Sequence, residues 1–415
     1  EYVEILKEEL LPAMGCTEPI AVAYAAAVAV QALGEKPESV EVNVSANIIK
    51  NVKSVVVPCT GGLRGIGAAV CAGIVAGCPE KELEILEEIT GEQKVEMKKM
   101  LDTMPMTIRE SDKEYIFDIQ IKACAGGHSG YVEIAGFHTN VICVKKDDEI
   151  IREKAYEEQG SSCATDRSLL TVEKIIEFAD CVDVADVEEV LQRQIDYNWA
   201  IAEEGMTGNW GAAIGKTLME AYGNSVHNRA KAMAAAGSDA RMNGCELPVV
   251  INSGSGNQGM TTSLPVIVYA KELNVSKEMM LRALVVSNLI TIHMKTGIGR
   301  LSAYCGAISA GCGAGAGICY LYGGRAYEIS HVIVNAVAIN SGVVCDGAKA
   351  SCAAKIASAV EAGLLGLQMQ KNGKQFYGGD GLVEKGVENT IRNIGELAKK
   401  GMRETDKTII QIMTR

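Results

Sequence analysis

The sequence is poor in aromatic residues and lacks any long run of basic ones. Aromatics make up 5% of the 415 residues, and the formal net charge is −12. No stretch holds five or more consecutive lysines and arginines, and an acidic protein is repelled by the phosphates of nucleic acids. We therefore predict a protein that does not bind nucleic acid.

A convincing membrane span is also lacking. The best candidate, residues 301–324, carries no charge and is long enough to cross a bilayer. It contains seven glycines, however, whose transfer into lipid gains little free energy. The Gly311/Gly315 and Gly313/Gly317 spacings are typical of close helix contacts, which soluble proteins use as well. We predict no membrane-spanning helix.

Cysteine, by contrast, is abundant. The chain holds 14 cysteines and shows no recognisable signal peptide, whereas disulfide frameworks are typical of secreted domains. This combination favours free thiols in a reducing compartment, so we expect a cytoplasmic protein.

Three of the cysteines fall where we expect the chemistry. Cys305 opens a Gly/Ala/Cys tract, and Cys345 and Cys352 follow it. Seven residues of straight helix span about 10.5 Å, but the turn signal Asp346-Gly347 lets Cys345 fold back over a helix that carries Cys352. Thiolates gathered in this way suit an iron–sulfur cluster or zinc, and an open fourth position would admit a substrate.

The spacing also supports a plainer interpretation. Cys305, Cys312 and Cys319 recur every seven residues, which is typical of one buried helix face. Free cysteine is among the most buried residue types, so all five cysteines could be ordinary core residues. Spacing alone favours neither interpretation.

Periodicity predicts an α+β protein of two domains, and 48% hydrophobic residues support a sizeable core. We predict a smaller α/β domain over residues 1–165 and a mostly helical catalytic domain over 166–415, with a linker at 159–162. In the first domain we expect strands at 40–44, 115–123, 130–134 and 139–145, and helices at 17–33, 65–76 and 81–101. In the second we expect helices at 171–180, 186–205, 211–222, 226–236, 276–292 and 349–370.

The start of the first long helix is a candidate reactive site. Cys16 and Thr17 both suit the cap of this helix, and Pro19 suits its first turn. A helix N-terminus attracts carboxylates and lowers the pKa of a thiol. Cys16 is therefore a candidate thiolate; the alternative is a small buried residue before a helix.

A second candidate is a loop dense in glycines, hydroxyls and amides. Ser253, Ser255, Gly256, Asn257 and Gln258 follow a short apolar run and precede a helix. Glycines let backbone N–H groups approach an anion, and the side chains add hydrogen bonds. We predict an anion-binding nest here, with a polar interdomain loop as the alternative.

Four motifs in this order resemble those of the L-cysteine desulfidases, which are related to the iron–sulfur L-serine dehydratases. The resemblance covers essentially the whole chain, and its motifs are Gly15-Cys16-Thr17-Glu18-Pro19, Ser255-Gly256-Asn257-Gln258-Gly259, Leu301-Ser302-Ala303-Tyr304-Cys305-Gly306 and Cys345-Asp346-Gly347-Ala348-Lys349. It implies a mostly helical catalytic domain with a smaller α/β domain. It also implies a [4Fe–4S] cluster with one open iron, held by Cys305, Cys345 and Cys352.

Two departures from the serine dehydratases favour the desulfidase branch. Their Ser-Ser-Ser-His-Thr helix start is replaced by the motif around Cys16. Their cysteine near the C-terminus, which can occupy the open iron, has no counterpart, since Cys352 is the last cysteine of this sequence.

The resemblance implies elimination of hydrogen sulfide from L-cysteine, which leaves ammonia and pyruvate. We expect the open iron to bind the substrate sulfur. The loop at Ser253 to Gln258, with Thr17 and the helix start at Cys16, would hold the carboxylate. Cys16 is our first candidate for the base that removes the Cα proton, and Lys295 is the second. We expect a homo-oligomer, most simply a dimer.

Three other functions remain open. An L-serine dehydratase would use the same cluster. A pyridoxal-phosphate lyase would need a Schiff-base lysine, for which Lys295 is the candidate. A cluster-bearing amino-acid sensor would not catalyse at all, and it is disfavoured because we find no segment for a partner.

Overall fold

The computed structural model describes residues 1–156, 165–299 and 301–414, and its first part is a six-stranded sheet covered by helices. The elements of this part are α1 (Tyr2–Glu9), β1 (Pro12–Met14), α2 (Thr17–Leu33), β2 (Ser39–Val44), α3 (Ala46–Val52), α4 (Gly65–Ala76), α5 (Gly91–Thr103), β3 (Met106–Glu110), β4 (Asp118–Ala125), β5 (His128–Ala135), β6 (Val141–Lys146) and β7 (Glu149–Glu153). The strand order is β3-β2-β4-β5-β6-β7. Strands β2 and β3 are parallel, and the other neighbours are antiparallel.

Helix α2 is the core of this part and is apolar around most of its circumference. It lies between the sheet and α4. Two glycines permit the close approach. A Cβ at Gly130 of β5 would overlap the carbonyl oxygen of Ala29, and one at Gly73 of α4 would overlap that of Ala23. Glycines of β5 and α4, packed against alanines of α2, therefore fix the position of α2.

The second part is almost entirely helical. Its elements are α6 (Val172–Cys181), α7 (Ala185–Thr207), α8 (Ile214–Tyr222), α9 (Val226–Met242), β8 (Pro248–Val250), α10 (Gly256–Glu272), α11 (Lys277–Ile298), α12 (Gly306–Leu321), α13 (Ala326–Asn340), α14 (Cys352–Lys371), α15 (Val387–Glu396) and α16 (Arg403–Thr414). Strand β8 pairs with β1 in antiparallel register, with Met14 opposite Pro248. This pairing ties the second part to the segment that leads into α2.

The glycine tract forms α12, which is buried among α10, α11, α13 and α14. A Cβ at Gly311 would overlap the Ala359 carbonyl of α14, and one at Gly313, on another face, would overlap Thr291 of α11. The glycines therefore serve helix packing within a protein core. Among the described residues, no helix combines the length and hydropathy that a bilayer span requires.

The α+β class is confirmed, as are most of the expected elements. The helix expected over 81–101 is wrong. Residues Pro79–Glu84 form a 3₁₀ segment with a left-handed residue at Glu82, and α5 begins only at Gly91. The reason is local, because Thr90 and Gln93 form a capping box that starts a new helix. Strands β3 and β7 were not expected, since they are mostly exposed and lack apolar alternation.

The linker expected at 159–162 lies outside the described residues. The division into domains at residues 165 and 166 stays a prediction.

The glycine contact between α4 and α2 can be tested by substitution. We expect Gly73→Ala to destabilise the protein by about 1–3 kcal/mol or more, because the added methyl group has no room against the α2 backbone. Gly91→Ala, at an open position of α5, should instead stabilise by about 0.4–1 kcal/mol. Urea unfolding of both variants measures the difference, and equal effects would contradict the close packing.

Candidate active site

Four long helices begin at one cavity of about 110 Å³. Cys16 caps α2, Ser255 caps α10, Cys305 caps α12, and Cys352 is the first residue of α14; all four line the cavity. The first turn of a helix exposes unpaired N–H groups and carries partial positive charge. The cavity is therefore built to receive negative charge.

Backbone pairing brings Cys305 and Cys345 together across forty residues of sequence. The N–H of Cys305 donates to the Val343 carbonyl at 3.1 Å, and the N–H of Cys345 donates to the Ala303 carbonyl at 2.6 Å. Gly347 then turns the chain with a φ of +93°. The loop thus folds back over the start of α14, as the Asp346-Gly347 turn signal predicts.

The three predicted cluster cysteines line the cavity together. Burial, together with the neighbouring Cys345 and Cys352 thiols, raises the pKa of Cys305 to about 12. Burial also raises the pKa of Cys352. Thiols packed so closely ionise readily only when a cation neutralises them, as a metal does when it binds.

Cys312 and Cys319 are buried in α12 and do not line the cavity, in keeping with a core role.

The donor set suits an iron–sulfur cluster, because its three members are thiols and thiolates are the ligands that hold such clusters. Within the described ranges, no three His, Cys, Asp or Glu side chains lie close enough to hold one metal ion. Gln258 and Tyr304 line the cavity, and Gln258 Oε1 and the Tyr304 hydroxyl oxygen are buried without a partner in the described chain. Buried polar groups are normally satisfied, so Gln258 Oε1 is a candidate to accept a hydrogen bond from a bound ligand.

Ion pairs hold the loop between Cys345 and Cys352. The Asp346 carboxylate accepts hydrogen bonds from Lys349 and from Lys355, and Lys355 also donates to the Val344 carbonyl at 2.8 Å. Although burial raises the pKa of Asp346, the two lysines lower it to about 2. The carboxylate therefore stays ionised and pins both lysines beside the cysteines.

At the start of α2, Cys16 lines the cavity as expected, but its thiol is not acidic. Its Sγ donates to Glu18 Oε2 at 3.2 Å. Burial, followed by the Glu18 charge, raises the pKa of Cys16 well above its usual value. The expected lowering by the helix N-terminus is wrong here, because desolvation outweighs the helix dipole.

Only some of the residues predicted to bind the substrate carboxylate line the cavity. Ser255, Asn257 and Gln258 line the cavity, whereas Thr17, Ser253 and Gly256 do not. Two of the latter have other partners: Thr17 Oγ1 donates to the Gly254 carbonyl at 3.1 Å, and Ser253 Oγ donates to Asn252 Oδ1 at 2.9 Å. They shape the loop and do not face a ligand.

The cavity also holds basic residues, of which sequence reasoning found only Lys295, a buried residue of α11. Lys50 is 2% exposed and pairs with Asp406 of α16 at 2.6 Å. Arg241, near the end of α9, is 3% exposed and also lines the cavity. The one signal for Arg241 is a charge in an alanine-rich helix, and only the tertiary structure shows where it points.

A larger cavity of about 450 Å³ lies between α2, the 3₁₀ segment Pro79–Glu84 and strands β6 and β7. None of the predicted site residues lines it. This cavity is the larger of the two, but the predicted thiols and the starts of the four helices all lie at the smaller one. We therefore take the smaller cavity as the candidate active site.

The chain belongs to the serine dehydratase alpha chain family, whose sequence pattern matches residues 80–411. A UPF0597 protein of Desulfitobacterium hafniense is 60% identical over 412 residues, which cover 99% of this chain and 96% of that protein. UPF0597 proteins of Lachnoclostridium phytofermentans (100% and 99% covered) and Treponema denticola (100% and 97%) are 50% and 44% identical. The family confirms the relation to the iron–sulfur serine dehydratases and implies a lyase-type enzyme with an iron–sulfur cluster.

The ion pairs of the cysteine loop can be tested through cluster retention. We expect Asp346→Asn to release iron to a chelator roughly 10-fold faster than the parent protein, because a neutral amide holds Lys349 and Lys355 less firmly. Glu404→Gln, which removes an exposed ion pair with Lys407, is the control and should release iron at the rate of the parent protein. Identical release from both variants would show that the loop does not depend on Asp346.

Proposed function

We propose that the protein is an L-cysteine desulfidase, which converts L-cysteine and water to hydrogen sulfide, ammonia and pyruvate. The observation that carries the proposal is the convergence of three thiols, the starts of four helices and several basic residues on one small cavity. The family supports an elimination reaction, and the choice of L-cysteine over L-serine is the finer part of the proposal.

Cys305, Cys345 and Cys352 would hold a [4Fe–4S] cluster with one open iron. When bound, such a cluster supplies a soft Lewis acid that prefers sulfur to oxygen as a ligand. The ammonium of Lys355 faces the Cys305 and Cys345 thiols and would offset their negative charge. This preference for sulfur favours L-cysteine as the substrate.

The start of α10 would hold the substrate carboxylate. Ser255 and Asn257 line the cavity at the first turn, where N–H groups are directed at an anion. The Gln258 side chain is 5% exposed, and its amide oxygen is free to accept a hydrogen bond from the substrate ammonium. Gly306 makes room for this amide, since a Cβ there would lie 2.7 Å from Gln258 Cδ.

Cys16 is our first candidate for the base and Lys295 the second, since both line the cavity. The Cys16 thiol donates a hydrogen bond to Glu18 at 3.2 Å, so the Cα proton would pass to the Cys16 sulfur as the thiol proton passes to Glu18. The Cβ–S bond then breaks, and the sulfur departs as hydrosulfide. The remaining aminoacrylate adds water and releases ammonia to form pyruvate. In this scheme the α/β domain supplies Cys16 and Glu18.

An L-serine dehydratase is the second candidate, because the family description names serine. We expect protein reconstituted anaerobically with iron and sulfide, without pyridoxal phosphate, to release pyruvate from L-cysteine far faster than from L-serine. Sulfide and pyruvate should form in equal amounts. Preference for L-serine would make the protein a dehydratase with the same site. An intact cluster without any turnover would favour the sensor.

The assignment of cluster ligands predicts a contrast between buried cysteines. Cys305→Ala should lose most of its iron and its brown absorption, because one of three ligands is gone. Cys319→Ala is the matched control: its thiol is buried with a pKa also raised to about 12, yet it lies away from the cavity. It should keep the iron content of the parent protein. Equal iron loss would contradict the assignment.

The role of Cys16 predicts a different pattern. We expect Cys16→Ser to keep its cluster but to lower turnover by a factor on the order of 100, since a serine hydroxyl is a far poorer base. Iron content and pyruvate release measure the two effects separately. Full turnover in Cys16→Ser would exclude Cys16 as the base and direct attention to Lys295→Gln.

A further inference from the structure

We propose that Arg241 binds the α-carboxylate of the substrate and thereby makes the enzyme specific for free amino acids. This rests on the amino-acid lyase activity proposed above, whichever of L-cysteine or L-serine is preferred. Arg241 lies outside the four motifs that carry the resemblance, so its part in the site is inferred from the structure.

Arg241 is a buried cation that makes no ion pair among the described residues. Its side chain lines the cavity and is 3% exposed. Its Nε donates to the Gly15 carbonyl at 2.8 Å, and its Nη1 donates to Asn257 Oδ1 at 3.1 Å. Both acceptors are neutral, and within the described chain no carboxylate forms an ion pair with the guanidinium. Burying a charge is costly unless a partner of opposite charge is supplied.

Other cations of the cavity have such a partner. Lys50 pairs with Asp406, and Lys355 pairs with Asp346. Glu18, an acidic residue of the cavity wall, accepts hydrogen bonds from Cys16 and Thr17. Arg241, by contrast, is a cavity cation that forms no ion pair with any carboxylate of the described residues.

The guanidinium is also held in a fixed orientation. Gly256 leaves the space for it, since a Cβ there would lie 2.5 Å from Nε. Its two hydrogen bonds reach the residue before Cys16 and the first turn of α10, so it bridges the two helix starts. Nη2 makes no hydrogen bond within the described chain and is left to the cavity. An oriented guanidinium suits the planar carboxylate of an amino acid in both charge and shape.

A carboxylate held here would lie between the candidate base and the start of α10. Masking it as a methyl ester removes the negative charge but keeps the sulfur and the Cα proton. The enzyme should therefore prefer L-cysteine to its methyl ester, and that preference should depend on Arg241.

The test compares Arg241→Met, Arg241→Lys and the control Arg229→Met in the cluster-loaded protein. Arg229 lies on the same helix but pairs at the surface with Glu272. We expect Arg241→Met to lose kcat/KM for L-cysteine by a factor on the order of 100, with a loss of a few-fold at most for the methyl ester. Arg241→Lys should show an intermediate kcat/KM for L-cysteine, since lysine keeps the positive charge but lacks the planar guanidinium that can donate two parallel hydrogen bonds. Arg229→Met should match the parent protein.

A binding measurement separates this role from a structural one. L-Alanine has the carboxylate and ammonium but no leaving group, so calorimetry can follow its binding without turnover. We expect Arg241→Met to bind L-alanine at least about 20-fold more weakly while keeping the parent iron content and absorption spectrum. Unchanged L-alanine affinity, or equal losses for acid and ester, would overturn the proposal.

Two safeguards keep the outcome clear. If Arg241→Met does not fold, Arg241→Lys tests the proposal through the ratio of kcat/KM for L-cysteine to kcat/KM for its methyl ester. If L-serine is the better substrate, L-serine and its methyl ester replace the cysteine pair. The desulfidase assignment would then fail, while the role of Arg241 would still be tested.

Discussion

The meeting of four helix N-termini at one cavity is the feature on which the site depends. α2, α10, α12 and α14 each place their first turn at its wall, so unpaired N–H groups face it from several sides. Arg241 adds a positive charge that has no ion-pair partner among the described residues, while Lys50 and Lys355 are paired with Asp406 and Asp346. An acidic chain with a net charge of −12 thus concentrates buried positive charge at one place. Thiolates and a carboxylate are the groups that such a place stabilises.

Small residues make this convergence possible. Helices that start at a common point must pack closely along their length, and α12 does so through glycines directed at α14 and at α11. α2 is held in the same way by Gly73 and Gly130. The glycine and alanine content of the sequence is therefore a requirement of the site, because larger side chains would separate the helix starts and widen the cavity.

Local signals in the sequence predicted the parts of the site that depend on neighbouring residues. The start of α2 after Cys16 and the turn between Cys345 and Cys352 both follow from short-range preferences. The contact between Cys305 and Cys345 does not, because it arises from backbone pairing between distant segments. The pKa of Cys16 and the position of Arg241 were missed for the same reason: each depends on burial, which only tertiary packing decides.

The charges of the cavity also bear on the difficulty of the reaction. Removing the Cα proton of an amino acid builds negative charge next to a carboxylate that is already negative. A guanidinium paired with that carboxylate lowers the repulsion, and a preorganised cation does so without reorganising when the charge develops. Arg241 is preorganised in this sense, because Gly15 and Asn257 hold it in place before any substrate arrives. Binding of the carboxylate and activation of the Cα proton would then be two effects of one buried charge.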